Sequence, residues 1–267
     1  MSVEDTDPSR VPGKIDIHNP RSGELLYTIS DPTAEALKAT YDRAGEAFKK
    51  IKALSVRQRL DELLKIKHYI IEHRESLVDR ICAETGMSRS DCLLTEIFSV
   101  LDTIDYYDKY AVKQLADRKV PTPLVLFPKK SYVYYEPLGT VLIISPWNYP
   151  FNLTLCPFIA SFIAGNATVY KPSEYTPLQG LVEDMVEKSG FIKDAFQVVY
   201  GGKETGAACI DQRPAKILFT GSCRGGSAVM ANAAQYLIPV ELELGGKDPM
   251  VVFEDVDIER TVNGAIW

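Results

Sequence analysis

The sequence predicts an α/β protein: a doubly wound parallel sheet, preceded by helices and carrying a β-hairpin arm. Three observations predict it. From Gly139 onward, the short apolar runs VLIIS, ATVYK, FQVVY, KILFT and VELEL alternate with helix-length stretches, the pattern of βα units whose strands are buried on both faces. Before them lies a long region of helical periodicity, and between the two sits PTPLVLFPKKSYVYYEP, whose prolines and β-formers read as an extended hairpin. Polar or glycine-bearing strings come after the strands, at the carboxyl ends where such sheets bind ligands.

The elements are taken in chain order. Asp31 and Pro32 form an N-cap and a first-turn proline for the first helix. Ser55 and Gln58 form a capping box for a second, which carries Leu60, Leu63, Leu64, Ile70, Ile71, Leu77, Val78 and Ile81 at near-helical spacing and closes at Gly86. A third helix runs from about residue 90 to 117, with Leu93, Leu94, Ile97, Leu101, Ile104 and Tyr107 as its apolar stripe. The hairpin spans residues 119–137, and its exposed edge is expected to support a homo-oligomer. After VELEL, the run MVVF at Met250 to Phe253 reads as one more strand, and a helix runs into the last residues.

Composition narrows the class. The chain has 267 residues, 46% hydrophobic and 25% charged, enough length and apolar content for a buried core. A formal net charge of −6 gives no basic field for a nucleic-acid backbone. No apolar run approaches the ~18 residues of a membrane span, and MSVEDTDPSR lacks the layout of a signal peptide, so the expectation is cytoplasmic. Cys82, Cys92, Cys156, Cys209 and Cys223 are scattered singly and read as reduced, mostly buried residues. His68 and His73 are five apart, the wrong spacing for two ligands on one helical face, and no metal is predicted.

The strings at the strand ends supply candidate chemistry. In Ser145, Pro146, Trp147, Asn148, the prolines Pro146 and Pro150 stiffen a turn that presents an amide between aromatic rings. Such an amide in a dry pocket can hold a developing oxyanion. Lys171, Pro172, Ser173 and Glu174 place a cation and a carboxylate where a ribose could be hydrogen-bonded. Gly221, Ser222 and Gly226 form a turn opening onto a helix, whose N-terminal N–H groups suit a pyrophosphate, although the GxGxxG fingerprint is absent. Glu243, read as lying on an inner strand, is the candidate general base, since desolvation would raise its pKa. Glu241 points the same way and competes with it; only the pair Gly245–Gly246 favours Glu243.

Together, PWNYPFN, AGNATVYKPSEYTP, FTGS with Gly226, and LELGGK in this order resemble the aldehyde dehydrogenase superfamily, over essentially the whole chain. The resemblance implies a Rossmann-like NAD(P)-binding domain from residues 1–118 and 138–243, interrupted by the arm, with residues 244–267 opening a catalytic domain. It implies NAD(P)-dependent oxidation of a small-molecule aldehyde to a carboxylic acid. Asn148 would be the oxyanion donor and Glu243 the base that activates water. Lys171 and Glu174 would hold the adenosine ribose, with Pro172 and Ser173 beside them, and Gly221, Ser222 and Gly226 the pyrophosphate. Trp147, Leu244 and Gly245 would line the nicotinamide side, and Ser145 and Pro146 would also bind the cofactor. Glu174 favours NAD over NADP, because a 2′-phosphate would meet its charge. The family's nucleophilic cysteine is expected beyond Trp267, and Cys223 reads as a small packing residue. The chain is therefore expected to be a cut form without its own turnover. The alternative is a non-catalytic nucleotide-binding or interaction module; a relative forming acyl-CoA is a third reading, against which Glu243 argues.

Overall fold

The computed structural model describes residues 13–266; the opening stretch MSVEDTDPSR and the terminal Trp267 lie outside the described residues. Strands β1 (Lys14–His18) and β2 (Leu25–Ser30) form an antiparallel pair. Helix α1 (Ala34–Lys52) comes next, but its cap is Thr33, whose side chain accepts from Ala36 N at 3.2 Å. Asp31 is not the cap. Its carboxylate accepts from Gly202 N at 3.1 Å and Thr205 Oγ1 at 2.8 Å, tying the chain entrance to a helix start 171 residues away, where a carboxylate is favoured by the dipole.

Helix α2 (Val56–Glu72) carries the expected capping box: Gln58 N donates to Ser55 Oγ at 3.3 Å and Ser55 N to Gln58 Oε1 at 2.9 Å. The single long helix expected here is two. The backbone leaves helical geometry at His73, whose ring stacks on Tyr69, and α3 (Arg74–Thr85) runs on to Gly86 at φ 70°. The break leaves Ile71 on the outside.

The third helix is also interrupted. A short α4 (Arg89–Asp91) passes into a π-helical segment, Cys92–Phe98, and then α5 (Ser99–Gln114). A π turn inserts one residue into the helical repeat and rotates the turns on its two sides against each other. The expected stripe is shifted accordingly: Leu93 and Leu94 are exposed, while Cys92, Glu96, Ile97, Val100 and Ile104 are buried. The hairpin forms as β3 (Arg118–Val120) paired antiparallel with β4 (Ser131–Val133), its tip exposing Leu124, Val125 and Phe127.

The main sheet is built from β5 (Thr140–Ile144), α6 (Asn152–Ile163), β6 (Ala167–Lys171), α7 (Leu181–Ser189), β7 (Phe196–Val198), α8 (Lys203–Asp211), β8 (Lys216–Gly221), α9 (Cys223–Ala234) and β9 (Val240–Leu244). All its pairings are parallel and the order is β7-β6-β5-β8-β9. The chain winds outward from β5 in one direction, then returns to lay β8 on its other side. That reversal puts a crevice at the carboxyl ends of β5 and β8, the place where doubly wound sheets bind ligands. The core beneath is aromatic: Phe158 of α6 is fully buried, stacked on Phe196 at 3.9 Å, with Phe191 at 5.8 Å and Phe162 at 5.9 Å.

Two strand expectations fail. Met250 to Phe253 forms no strand and is exposed. Among the described residues β9 is the sheet's edge, so no face exists beyond it for that apolar run to cover. For the same reason β9 is not an inner strand. A final helix, α10 (Ile258–Ile266), ends the described chain.

Candidate functional site

The ladder aligns the strand ends. Ile144 pairs with Lys171 on one side and Phe219 on the other, and Gly221 pairs with Leu244. Ser145 N donates to Lys171 O at 3.3 Å, and Gly245 N to Gly221 O at 3.3 Å. Ser145, Lys171, Gly221, Leu244 and Gly245 thus stand along one edge of the sheet, as the sequence leads one to expect.

Each string is fixed locally. Ser145 is buried, its hydroxyl donating to Leu153 O at 2.9 Å, so it braces the adjoining turn. Thr176 Oγ1 donates to Trp147 O at 2.9 Å and Thr154 Oγ1 to Pro150 O at 2.7 Å, holding the turn at two carbonyls. Trp147 and Asn148 are left exposed upon it. Lys171 is buried, and its ammonium pairs with Glu174 Oε2 at 3.1 Å. Pro172 and Ser173 are buried between them, and Tyr175 N donates to Ser173 Oγ at 3.3 Å.

The turn after β8 is tighter than its sequence implies. α9 begins directly at Cys223, with Ser222 as N-cap accepting from Gly225 N at 3.1 Å, so Gly226 belongs to the first helical turn. A Cβ on Gly221 or Gly225 would stand 2.8 Å from the Phe219 ring, and one on Gly226 2.7 Å from Leu244 Cδ2. The glycines let helix and strand close on each other. The first-turn N–H groups of Cys223 and Arg224 have no acceptor within the helix and lie at the sheet's carboxyl edge. Cys223, expected to pack, is exposed.

Glu243 faces Thr220 across the ladder and is exposed, so the desolvation expected for an inner-strand carboxylate is absent. Glu241 is also exposed, but is engaged by Lys216 at 2.5 Å. That contact separates the two candidates. β8 lies between the strand that leads to Asn148 and the strand that carries Glu243.

Sequence reasoning missed three supports: Thr176, Phe219 and above all Glu96. Glu96 is fully buried, and its Oε2 accepts from Asn152 N at 2.6 Å, at the start of α6, while Oε1 has no hydrogen-bond partner among the described residues. A charged residue inside an apolar stripe was the available signal. Burial pushes its pKa up to about 7, against the lowering effect of the backbone N–H groups of Asn152 and Phe151. Because the folded value is raised, protonation favours the fold: this contribution is complete below the unfolded value of 4.5 and is lost as pH rises through about 7. Urea unfolding at pH 5 and pH 8 is expected to show a loss on the order of 3 kcal/mol from this group, absent in Glu96→Gln.

No described helix is long and apolar enough to cross a membrane. A family model for the aldehyde dehydrogenase family matches residues 7–267. The chain is 38% identical to 4,4'-diapolycopene aldehyde oxidase of Methylomonas sp, covering 93% of this chain and 47% of that protein. It is 32% identical to the dimeric NADP-preferring aldehyde dehydrogenase of Canis lupus familiaris, covering 84% and 50%. The crystal structure of PnpE in complex with nicotinamide adenine dinucleotide superposes with a TM-score of 0.87 at 33% identity, covering 96% of this chain and 52% of that one. The chain thus spans about half the length of the relatives it matches. Its motifs, its strand order and these similarities agree, and the chain belongs to the aldehyde dehydrogenase family.

Proposed function

We propose that this protein binds NAD or NADP along the carboxyl edge of the five-stranded sheet, and that the complete protein oxidises an aldehyde to a carboxylic acid. The observation that carries the reading is the convergence of Ser145, Lys171, Gly221 and Leu244 on that edge, next to the N-terminus of α9. The site fits such a cofactor: glycines at 221, 225 and 226 let the start of α9 close onto Phe219 and Leu244 at the strand ends, and first-turn N–H groups are available to an anion. A nicotinamide cofactor held there would supply the hydride acceptor for the oxidation.

The chain's own groups take the remaining roles. Lys171 and Glu174 hold the adenosine ribose hydroxyls; Ser222 and the Gly221 to Gly226 turn face the pyrophosphate. Ser145, Pro146, Trp147, Leu244 and Gly245 bound the nicotinamide side, with Pro172 and Ser173 shaping the ribose wall. Asn148 donates its amide to the substrate oxygen as negative charge develops there. Glu243 accepts a proton from the water whose oxygen becomes the second oxygen of the carboxylic acid, its exposed position giving it access to solvent. The Glu174 carboxylate opposes a 2′-phosphate and favours NAD, although the canine relative is NADP-preferring and Lys171 offsets part of the repulsion. Calorimetric titration with NAD should give saturable binding, and Lys171→Ala should weaken it about tenfold to a hundredfold, the loss of hydrogen bonds to a charged group. Equal affinities would refute the ribose assignment.

A second reading is a nucleotide-binding module without turnover. Three of the five cysteines favour it: burial pushes the Cys209 thiol up to about 12 and raises those of Cys92 and Cys156, so none of these three supplies a ready thiolate, whereas Cys223 is exposed. Binding of NAD with no reduction of it across a panel of aldehydes selects this reading. The unpaired cysteines suit a reducing cytoplasm. The exposed arm supports a homo-oligomer, dimer or tetramer, and small-angle scattering that returns a monomer's mass would remove that role from it.

A further inference from the structure

We propose that Glu96 is a positioning residue, fixing the turn that carries Asn148 by clamping Asn152 at the start of α6. The inference builds on the oxyanion role given to Asn148 above. The turn leaves the sheet at Ser145, whose N–H donates to Lys171 O, and is held midway where Thr176 grips the Trp147 carbonyl. Its far anchor is Asn152, four residues after Asn148.

Asn152 is gripped on several sides by the π-helical segment and by α6. Its backbone N–H donates to Glu96 Oε2 at 2.6 Å, and its side-chain amide donates to Thr95 O at 2.8 Å. Its Oδ1 accepts from Cys156 Sγ at 2.9 Å, so the amide is oriented and cannot flip without losing both contacts. Glu96 and Thr95 reach it because the π turn rotates residues 92–98 out of the register of α5.

The arrangement is unfavourable for packing alone. Glu96 is wholly buried with one oxygen unpartnered among the described residues, and a leucine there would remove that penalty. What leucine would lose is the bond to Asn152. With both ends of a short, proline-stiffened turn anchored, moving the far anchor displaces Asn148, and a misplacement of about 1 Å at such a donor can lower turnover up to a hundredfold.

The test reads the turn directly. The chain has two tryptophans, Trp147 and Trp267, so 5-fluorotryptophan labelling gives two ¹⁹F lines, assigned with Trp267→Phe. Glu96→Asp keeps the charge but withdraws the carboxylate by one methylene, and is expected to displace the Trp147 line by more than its width. Glu96→Gln keeps an acceptor in place and is expected to leave it. An unmoved line in Glu96→Asp, or equal displacement in both, overturns the proposal. A measurement on the unmodified protein stands beside it in case a variant does not fold: Asn152 N–H, a first-turn amide, should exchange at least tenfold slower than its intrinsic rate. Exchange at the intrinsic rate overturns the clamp. Neither readout depends on turnover, so an Asn148→Ala variant with full activity would remove the oxyanion role and leave the clamp standing.

Discussion

Replacing Asn148 by alanine is expected to lower kcat for aldehyde oxidation by the complete protein about 10²–10³-fold, with the Kd for NAD within about twofold of the original. The turn that carries Asn148 is braced at Trp147 O, Pro150 O and Asn152 N, so a donor on it would need little backbone reorganisation to meet charge developing on a substrate oxygen. Alanine leaves those braces intact, because none of them uses the Asn148 side chain. Steady-state kinetics with cofactor titration in parallel separates the effects: a loss in kcat alone supports an oxyanion donor, and a loss in cofactor affinity alone assigns Asn148 to binding.

The largest stability effect is expected at Phe158. Phe158→Ala should cost about 3–5 kcal/mol in urea unfolding, the range for deleting a buried aromatic ring. The ring is fully buried in α6, stacked on Phe196 of β7 and touching the rings of Phe162 and Phe191. Its removal takes partners from all three at once. Since single domains are stable by only about 5–15 kcal/mol, the variant should be partly unfolded at moderate urea. A change below about 1 kcal/mol would mean that α6 does not seat on the sheet through this ring. Leu94→Ala, on the exposed side of the π segment, is the control and should be close to neutral.

The local and periodic part of the fold was legible in the sequence. The runs ATVYK and VELEL coincide residue for residue with β6 and β9: β6 is buried along its whole length, as a central parallel strand must be, while β9 alternates glutamates with apolar residues as an edge strand can. The Ser55–Gln58 box is likewise an interaction within one turn of chain. Features that depend on distant partners were not legible. Asp31 serves Gly202 and Thr205 instead of its own helix, a choice made by a contact across 171 residues. The π turn moves Leu93 and Leu94 outward and Glu96 inward, since packing against α6 sets the register and local propensity does not. Met250 to Phe253 has strand composition but no neighbouring strand among the described residues, so composition alone misassigns it.

At the site, sequence placed the four strings at strand ends correctly, and the sheet order explains why: each string succeeds a strand whose carboxyl end lies on the same edge. It chose Glu243 over Glu241 on the adjoining glycine pair alone, and had no view of the contact that distinguishes them in the structure, where Lys216 occupies Glu241. The physical character of Glu243 was misjudged, as alternation along a strand says nothing about whether that strand is central or at an edge.

Chemical-shift mapping on ¹⁵N-labelled protein during a titration with NAD tests the dinucleotide site most directly. The backbone amides that move should cluster at residues 145, 147, 171, 173–174, 221–226 and 244–245, with the amino ends of the same strands, at Thr140 and Ala167, unmoved. Shifts centred on Thr140 and Ala167, or none at saturating NAD, would contradict it.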